Sequence, residues 1–349
     1  MCETEQEIIS VKEAVGTVLS HDITEVNPGI GFKGARFRRG HVVSKDDVEK
    51  LLDLGKEHLY VLQIQENQMH ENDAAVMMAG AIAGTNAVFK PEPREGKIDI
   101  AAGVSGVLKV NVEALERFNG VGAVMCATRH NNTVVAEGEA VAGTRAIPLV
   151  VEKKPVHDAV AIAEAAGGIV SVLPLRKARV GLVITGNEVF SGRIKDAFEP
   201  VITEKVVALG SSVVEVVKCP DDVGQIRAAL EKVRSSGADL VVMTGGMSVD
   251  PDDVTPLAAR AAGADITAYG SAVLPGSMFM VGYFEEGTPV LGVPACGIHH
   301  PRTIFDLILP RVLAGETITG ADIARLGHGG MCLDCPECRF PVCPFGKGC

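Results

Sequence analysis

The second half of the chain alternates continuous apolar runs with stretches of helical composition. RVGLVIT, SSVVEVVK, ADLVVMT and ADITAYG are rich in Val, Ile, Leu and Ala, and segments around 196–209, 222–235 and 254–262 separate them. Gly210, Gly237 and Gly263 follow those segments where helix stops belong. Such βαβ alternation predicts a mostly parallel, doubly wound sheet with helices on both faces, a three-layer α/β sandwich. SMFMVGYFEEGTPVLGV then reads as an antiparallel hairpin turned at Glu286-Gly287, before a last helix in RTIFDLILPRVLAGE.

The first half is less regular. SKDDVEKLLDLG predicts a helix: Ser44 is its N-cap, carboxylates fill the first turn, Val48, Leu51, Leu52 and Leu54 are apolar, and Gly55 stops it. HLYVLQI reads as a strand. Residues 74–83 are small and apolar, and KPEPREG at 90–96 is an exposed loop, so 74–95 is expected as a linker. HDAVAIAEAAGG at 157–168 has helical composition with a glycine stop. The expected organisation is an N-terminal α+β module over 1–73, that linker, a small β-rich module with one short helix over 96–150, a connecting helix over 151–177, the α/β domain over 178–318 and a Cys-rich tail over 319–349.

Composition narrows the classes. A chain of 349 residues exceeds the usual single-domain size. Hydrophobic residues make up 47% but aromatics only 4%, with no Trp, which favours aliphatic cores and argues against base-stacking platforms. A formal charge of -11 offers no basic field to a phosphate backbone, so nucleic acid is not an expected partner. MCETEQEII has no basic region followed by an apolar run, and no stretch approaches the roughly 20 apolar residues of a membrane span. The expectation is a cytoplasmic protein without a membrane partner.

In an open α/β sheet, ligands bind outside the carboxyl ends of the strands. Three loops leave strands at that edge: TGNEVFSG, CPDDVG and TGGMSVDPDDVTP. Gly186, Gly245 and Gly246 let backbone amides approach an anion, and helix N-termini favour negative charge. Glu188, Asp221, Asp222, Asp250, Asp252 and Asp253 would repel a bare phosphate, so the consistent ligand is an anion bridged by a hard divalent cation such as Mg²⁺. Asp221-Asp222 before a helix reads equally as a capping feature. The loops follow neither the GxxxxGK[ST] nor the GxGxxG pattern.

TGNEV, CPDD, TGGMSVDPDDVTP and GVPACGIHHPRTIFDLILPRVLAGE together resemble the molybdopterin-binding domain of molybdenum-cofactor biosynthesis proteins. That family is shared by MoeA-like molybdotransferases, MogA-like adenylyltransferases and gephyrin, and the resemblance covers about residues 178–315. It implies a pterin phosphate held by Thr185, Gly186, Asn187, Thr244, Gly245, Gly246, Met247 and Ser248, with the Pro294-Ala295-Cys296-Gly297 turn alongside. It also implies that Glu188, Asp221 and Asp253 are the catalytic acids and hold Mg²⁺ or molybdate. Asn187 replaces an Asp of the family pattern, and Asp250 and Asp252 are acids the pattern does not require. Two departures stand out: Pro275-Gly276-Ser277-Met278 replaces Pro-Gly-Lys-Pro, and Pro294-Ala295-Cys296-Gly297 replaces Pro-Gly-Asn-Pro.

VKEAVGTVLSHDI and FRRGHVVSKDDVEKLLDLG resemble the transferase's opening helix and the segment just before its pterin domain. With the extra residues ahead of the domain, this favours the MoeA-like branch, which inserts molybdate-derived molybdenum into molybdopterin. The alternatives are a non-catalytic sensor, carrier or delivery protein for the cofactor, and an adenylyltransferase. The expected partners are the pterin, molybdate and other molybdenum-cofactor proteins, and a homo-oligomer is expected.

Nine cysteines are many, and Cys332, Cys335, Cys338, Cys343 and Cys349 crowd the last 18 residues. The spacing Cx₂Cx₂Cx₄CP suits four thiolates around Zn²⁺, or an iron–sulfur cluster, whose bacterial run is one residue shorter at the last gap. A metal-free thiol cluster, or thiols that handle metal or sulfur for the cofactor, are the other readings. Cys296 reads as either a nucleophile or a small buried hydrophobe. His299 and His300 read as either anion contacts or surface residues. Lys33, Arg36, Arg38 and Arg39 read as either a phosphate contact across a dimer interface or a solvated face.

Overall fold

A computed structural model describes residues 7–348 apart from 28, 30–31, 62–63, 249 and 251–252. The chain forms two compact units. One takes in the chain up to residue 103 with 110–129 and 138–171; the other takes in 104–109, 130–137 and the chain from residue 172.

The second unit is built on a six-stranded sheet. Its order is Ser212–Cys219, Arg179–Thr185, Leu240–Thr244, Pro289–Val293, Met280–Tyr283 and Asp265–Tyr269. The first four strands are mutually parallel, and Met280–Tyr283 is antiparallel to both of its neighbours. Arg179–Thr185 is buried at every position after Arg179. Successive side chains of a strand point to opposite faces. Leu182 and Ile184 accordingly join a cluster with Phe198, Ile202, Phe305 and Ile308, while Val183 joins a second cluster with Ile226, Leu230 and Val233. Helices Phe198–Ala208 and Ile304–Leu313 cover the first face; Val223–Ser235 and Thr255–Ala261 cover the second. Each fully buried aliphatic side chain contributes about 2 kcal/mol. The expected mostly parallel α/β sandwich is the observed fold.

The predicted hairpin joins Met280–Tyr283 to Pro289–Val293, and Gly287 takes the positive φ of +85° that its turn requires. Its tip is tied down by an Arg234–Glu286 ion pair of 2.6 Å. The helix expected to be the last, Ile304–Leu313, is followed by a short one at Gly320–Arg325 and begins with a capping box in which Thr303 and Asp306 satisfy each other's turn. Beyond the Gly320–Arg325 helix, the chain returns to this domain: Met331 makes a parallel bridge to Leu274, and Phe345 is buried in the first cluster.

In the first unit, Ala87–Phe89, Lys97–Ala102, Ala140–Ala146 and Val124–Thr128 form a four-stranded antiparallel sheet. The helix predicted from Ser44 onward spans Lys45–Asp53, with Asp47 completing the Ser44 capping box and Leu51 fully buried. The strand expected in HLYVLQI is His58–Val61, which pairs with Glu7–Ser10.

Two expectations need correction. The linker assigned to 74–95 opens inside a helix, Glu71–Ile82, which packs on Ala140–Ala146 and on the Lys153–Ala165 helix. Ala74, Ala75, Met78, Ala79 and Ile82 are all buried there. Its exposed positions include Met77 and Gly80 in place of polar residues, so the periodicity that would betray it is weak. The second correction is VKEAVGTVLSHDI, which holds a single 3₁₀ turn at Val11–Glu13 in place of an opening helix. Gly16, at φ +87°, takes the chain out of the helical region directly afterwards.

Candidate functional site

The three acid-bearing loops leave the carboxyl ends of adjacent strands. Thr185 ends Arg179–Thr185, Cys219 ends Ser212–Cys219 and Thr244 ends Leu240–Thr244. The parallel register pairs Thr185 with Cys219 and Ile184 with Thr244, so the loops start side by side.

The glycines are dictated by close approach. Gly245 has φ +85°, and a Cβ there would collide with the Thr185 carbonyl. Gly246 has φ +55°, and its Cβ would sit 2.6 Å from Thr255 Oγ1, 3.2 Å from Thr185 Oγ1 and 3.5 Å from Asp221 Oδ1. Two threonine hydroxyls and one carboxylate oxygen therefore converge beside the Gly246 backbone. The hydroxyls are 3.2 Å apart, and both threonines are buried.

The two aspartates of CPDD divide the roles between them. Asp222 caps the Val223–Ser235 helix, accepting from Gln225 N at 2.9 Å. Asp221 turns to the first loop, where its Oδ2 accepts from Asn187 N at 3.0 Å while its own N–H donates to Asn187 Oδ1 at 3.3 Å. Asn187 thus binds the loops to each other through both its backbone and its side chain. Asp221 Oδ1 and Thr244 Oγ1 are buried without a hydrogen-bond partner among the described residues. Buried polar atoms are ordinarily satisfied, so an oxygen left free at such a loop is available to a ligand.

Glu188 is exposed, with its carboxylate next to the Gly186 Cα. Asp253 Oδ2 accepts from Asp250 N at 3.1 Å, and Asp253 N donates to the Asp250 carbonyl at 2.9 Å, so this pair closes its own turn. Asp252 lies outside the described residues. Among the described residues, no three His, Cys, Asp or Glu side chains gather into a group that could hold a metal as placed. Glu188, Asp221 and Asp253 stand on neighbouring loops without such convergence, and the same is true of Cys332, Cys335, Cys338 and Cys343.

Met247 is buried against the Gly292 backbone, which anchors the third loop to the sheet, while Ser248 is exposed. In the fourth segment, Gly297 N donates to the Pro294 carbonyl and opens the short Cys296–His299 helix. Cys296 is half-buried, which pushes its thiol pKa up. Burial pushes Cys219, at the end of its strand, up to about 11, with the Asp221 charge adding to it. Neither thiol is poised as a nucleophile. His299 is exposed and His300 half-buried.

Two residues escaped the sequence reading. Thr255 reads as an ordinary helix-start residue but is fully buried and shares its hydroxyl with Thr185. Tyr269 donates to the Met247 carbonyl at 3.0 Å and lies near the Ser248 carbonyl at 3.2 Å, bracing the third loop. Burial and then the Asp253 charge hold the Tyr269 pKa above its ordinary value. A lone Tyr at a strand end carried no spacing signal for this.

The architecture is a doubly wound α/β domain with glycine-bearing, acid-bearing loops on its carboxyl edge, the edge where such sheets bind ligands. Residues 181–314 match the family described as probable molybdopterin binding domain. Residues 8–63 match a domain of unknown function. CinA-like proteins of Mycobacterium avium and Mycobacterium tuberculosis are each 38% identical over 78 residues. That stretch is 22% of this chain and only 18% of those relatives' length. Among solved structures, the molybdopterin biosynthesis enzyme MoaB of Thermus thermophilus is 23% identical, with a TM-score of 0.34, over 40% of this chain and 98% of that one. A molybdopterin biosynthesis MoeA protein of Pyrococcus horikoshii is 16% identical, with a TM-score of 0.34, over 88% of this chain and 74% of that one. No helix among the described residues is long and apolar enough to cross a membrane.

Proposed function

We propose that the protein binds molybdopterin at the strand-end loops and, as a MoeA-like molybdotransferase, inserts molybdate-derived molybdenum into it. The observation that carries this reading is the pair of buried oxygens at the loops, Asp221 Oδ1 and Thr244 Oγ1, which have no hydrogen-bond partner among the described residues. Leaving such an atom unsatisfied costs about 1–3 kcal/mol, which a bound ligand or ion would recover. The donor set fits a hard cation: Asp221 offers a free carboxylate oxygen, and Glu188 and Asp253 stand on the flanking loops. Mg²⁺ bound there supplies charge neutralisation between these acids and a phosphate. Gly245, Gly246 and Ser248 present backbone and hydroxyl groups to the pterin phosphate, and the Asn187–Asp221 bridge holds the two acid loops in register. The contribution of the protein is positioning and electrostatics.

A second reading, a non-catalytic carrier or sensor of the cofactor, is favoured by Ser277 and Cys296 standing where the transferase pattern has a lysine and an asparagine. Purified protein given metal-free molybdopterin, molybdate and Mg²⁺ separates the two. The transferase reading expects molybdenum insertion, measured by reactivation of a cofactor-free molybdoenzyme, and expects Asp253→Asn to slow it about a hundredfold. Insertion at the wild-type rate in Asp253→Asn would remove that residue from the chemistry. Tight pterin binding without insertion would leave the carrier reading.

A further inference from the structure

The pterin reading makes no use of the cysteine-rich end of the chain. Cys332, Cys335, Cys338 and Cys343 are free thiols, and all four line one cavity of about 40 Å³ together with His300, Arg302 and Phe340. Cys335 and Cys338 are exposed, so packing into a core does not account for the set.

The backbone around the cavity is already held on the α/β domain. Cys332 N donates to the Leu274 carbonyl at 2.8 Å, Leu274 N donates to the Gly330 carbonyl at 2.9 Å, and Gly346 N donates to the Gly329 carbonyl at 2.9 Å. Phe345 is buried in the core cluster against which Cys332, Phe340 and Cys343 pack. The cysteine segment is thus pinned at both ends, and the thiols surround the cavity without converging. Turning them inward requires side-chain rotation over a backbone that is already placed.

Arg302 borders the same cavity and donates to Asp306 Oδ1 at 2.8 Å. Arg302 also stands over the Phe340 ring, 5.2 Å from its centroid.

We propose that Cys332, Cys335, Cys338 and Cys343 form a structural Cys₄ site for a single zinc ion. Four thiols are the full ligand set of a tetrahedral structural zinc site, and an iron–sulfur cluster is the alternative that the test separates. Binding forms four Zn–S bonds, each thiol gives its proton to solvent, and nothing is oxidised or reduced. His300 and Arg302 border the site and lie between the Cys296–His299 turn and the Ile304–Leu313 helix, so the ion also secures the segment that follows the substituted pterin-site turn. This inference stands independently of pterin binding.

The test uses the full chain, stripped of metal under reducing conditions and titrated with Zn²⁺ alone, then with Co²⁺ as an optical reporter. The expected result is one ion per chain, protons released on loading, and the absorbance of tetrahedral cobalt–thiolate bonds. Cys335→Ser and Cys338→Ser, at exposed positions that leave the fold intact, are expected to weaken binding at least about tenfold, whereas Cys126→Ala retains full loading. Retention of one zinc in both serine variants would overturn the proposal. So would iron with inorganic sulfide in anaerobically purified protein, or disulfides among the tail cysteines with no metal uptake.

Discussion

The strand-end loops and the cysteine tail both bring potential metal ligands to the same domain, yet they are held in opposite ways. In the loops, three carboxylates already have backbone to bind: Asp221 accepts from Asn187, Asp222 from Gln225 and Asp253 from Asp250. Carboxylates accept strong hydrogen bonds, so these loops close on themselves and leave isolated oxygens for a ligand. Thiols are weak hydrogen-bond partners. The tail is therefore anchored by backbone pairing and by Phe345, while its cysteines face a cavity. The contrast teaches that the loops are shaped by their own hydrogen bonds, whereas the middle of the tail would gain its main cross-link from the proposed zinc.

The largest expected effect tests that asymmetry directly. Removing zinc with a chelator should speed amide exchange over 331–348 by about a hundredfold or more and leave 185–190 and 219–225 unchanged, read by hydrogen-exchange mass spectrometry. Equal loosening of both regions would erase the distinction. Next in size, Gly245→Ala should destabilise the folded domain by about 3 kcal/mol in a denaturant titration, because it combines a left-handed backbone with a collision at the Thr185 carbonyl. A neutral result would mean that the loop is not rigid in the metal-free protein. The smallest effect separates the neighbouring aspartates. Asp222→Ala should cost about 1 kcal/mol of stability and leave pterin affinity intact, while Asp221→Asn should weaken Mg²⁺-dependent pterin binding about tenfold with less change in stability. The reverse pattern would exchange their roles.

Much of the α/β domain was legible because a parallel sheet covered on both faces writes itself as apolar runs punctuated by glycine stops. Arg179–Thr185 and Leu240–Thr244 fall on two of the expected runs, and the hairpin turns at Gly287 as its Glu-Gly step suggested. The site was legible as loops but not as contacts. That Asp222 caps while Asp221 reaches across to Asn187 follows from where two strands end beside each other, which no local pattern records. Thr255 and Tyr269 were missed for the same reason, since each acts on a residue brought to it by the sheet. The Glu71–Ile82 helix was hidden by its Ala- and Met-rich composition, which carries no polar face to mark it.

By itself, then, the amino-acid pattern determined the elements of the α/β domain, the glycine turns at its strand ends and the crowding of thiols in the tail, because these depend on local backbone geometry and on which side chains avoid water. Only the tertiary structure decided that Asp265–Tyr269 lies at the sheet edge beyond the hairpin, that one aspartate of a pair is left with a free oxygen, and that four cysteines share a cavity with Arg302. Those outcomes depend on the order in which strands pair and on how a distant segment docks, and burial and hydrogen bonding between residues far apart in the chain select among the arrangements that local preference allows.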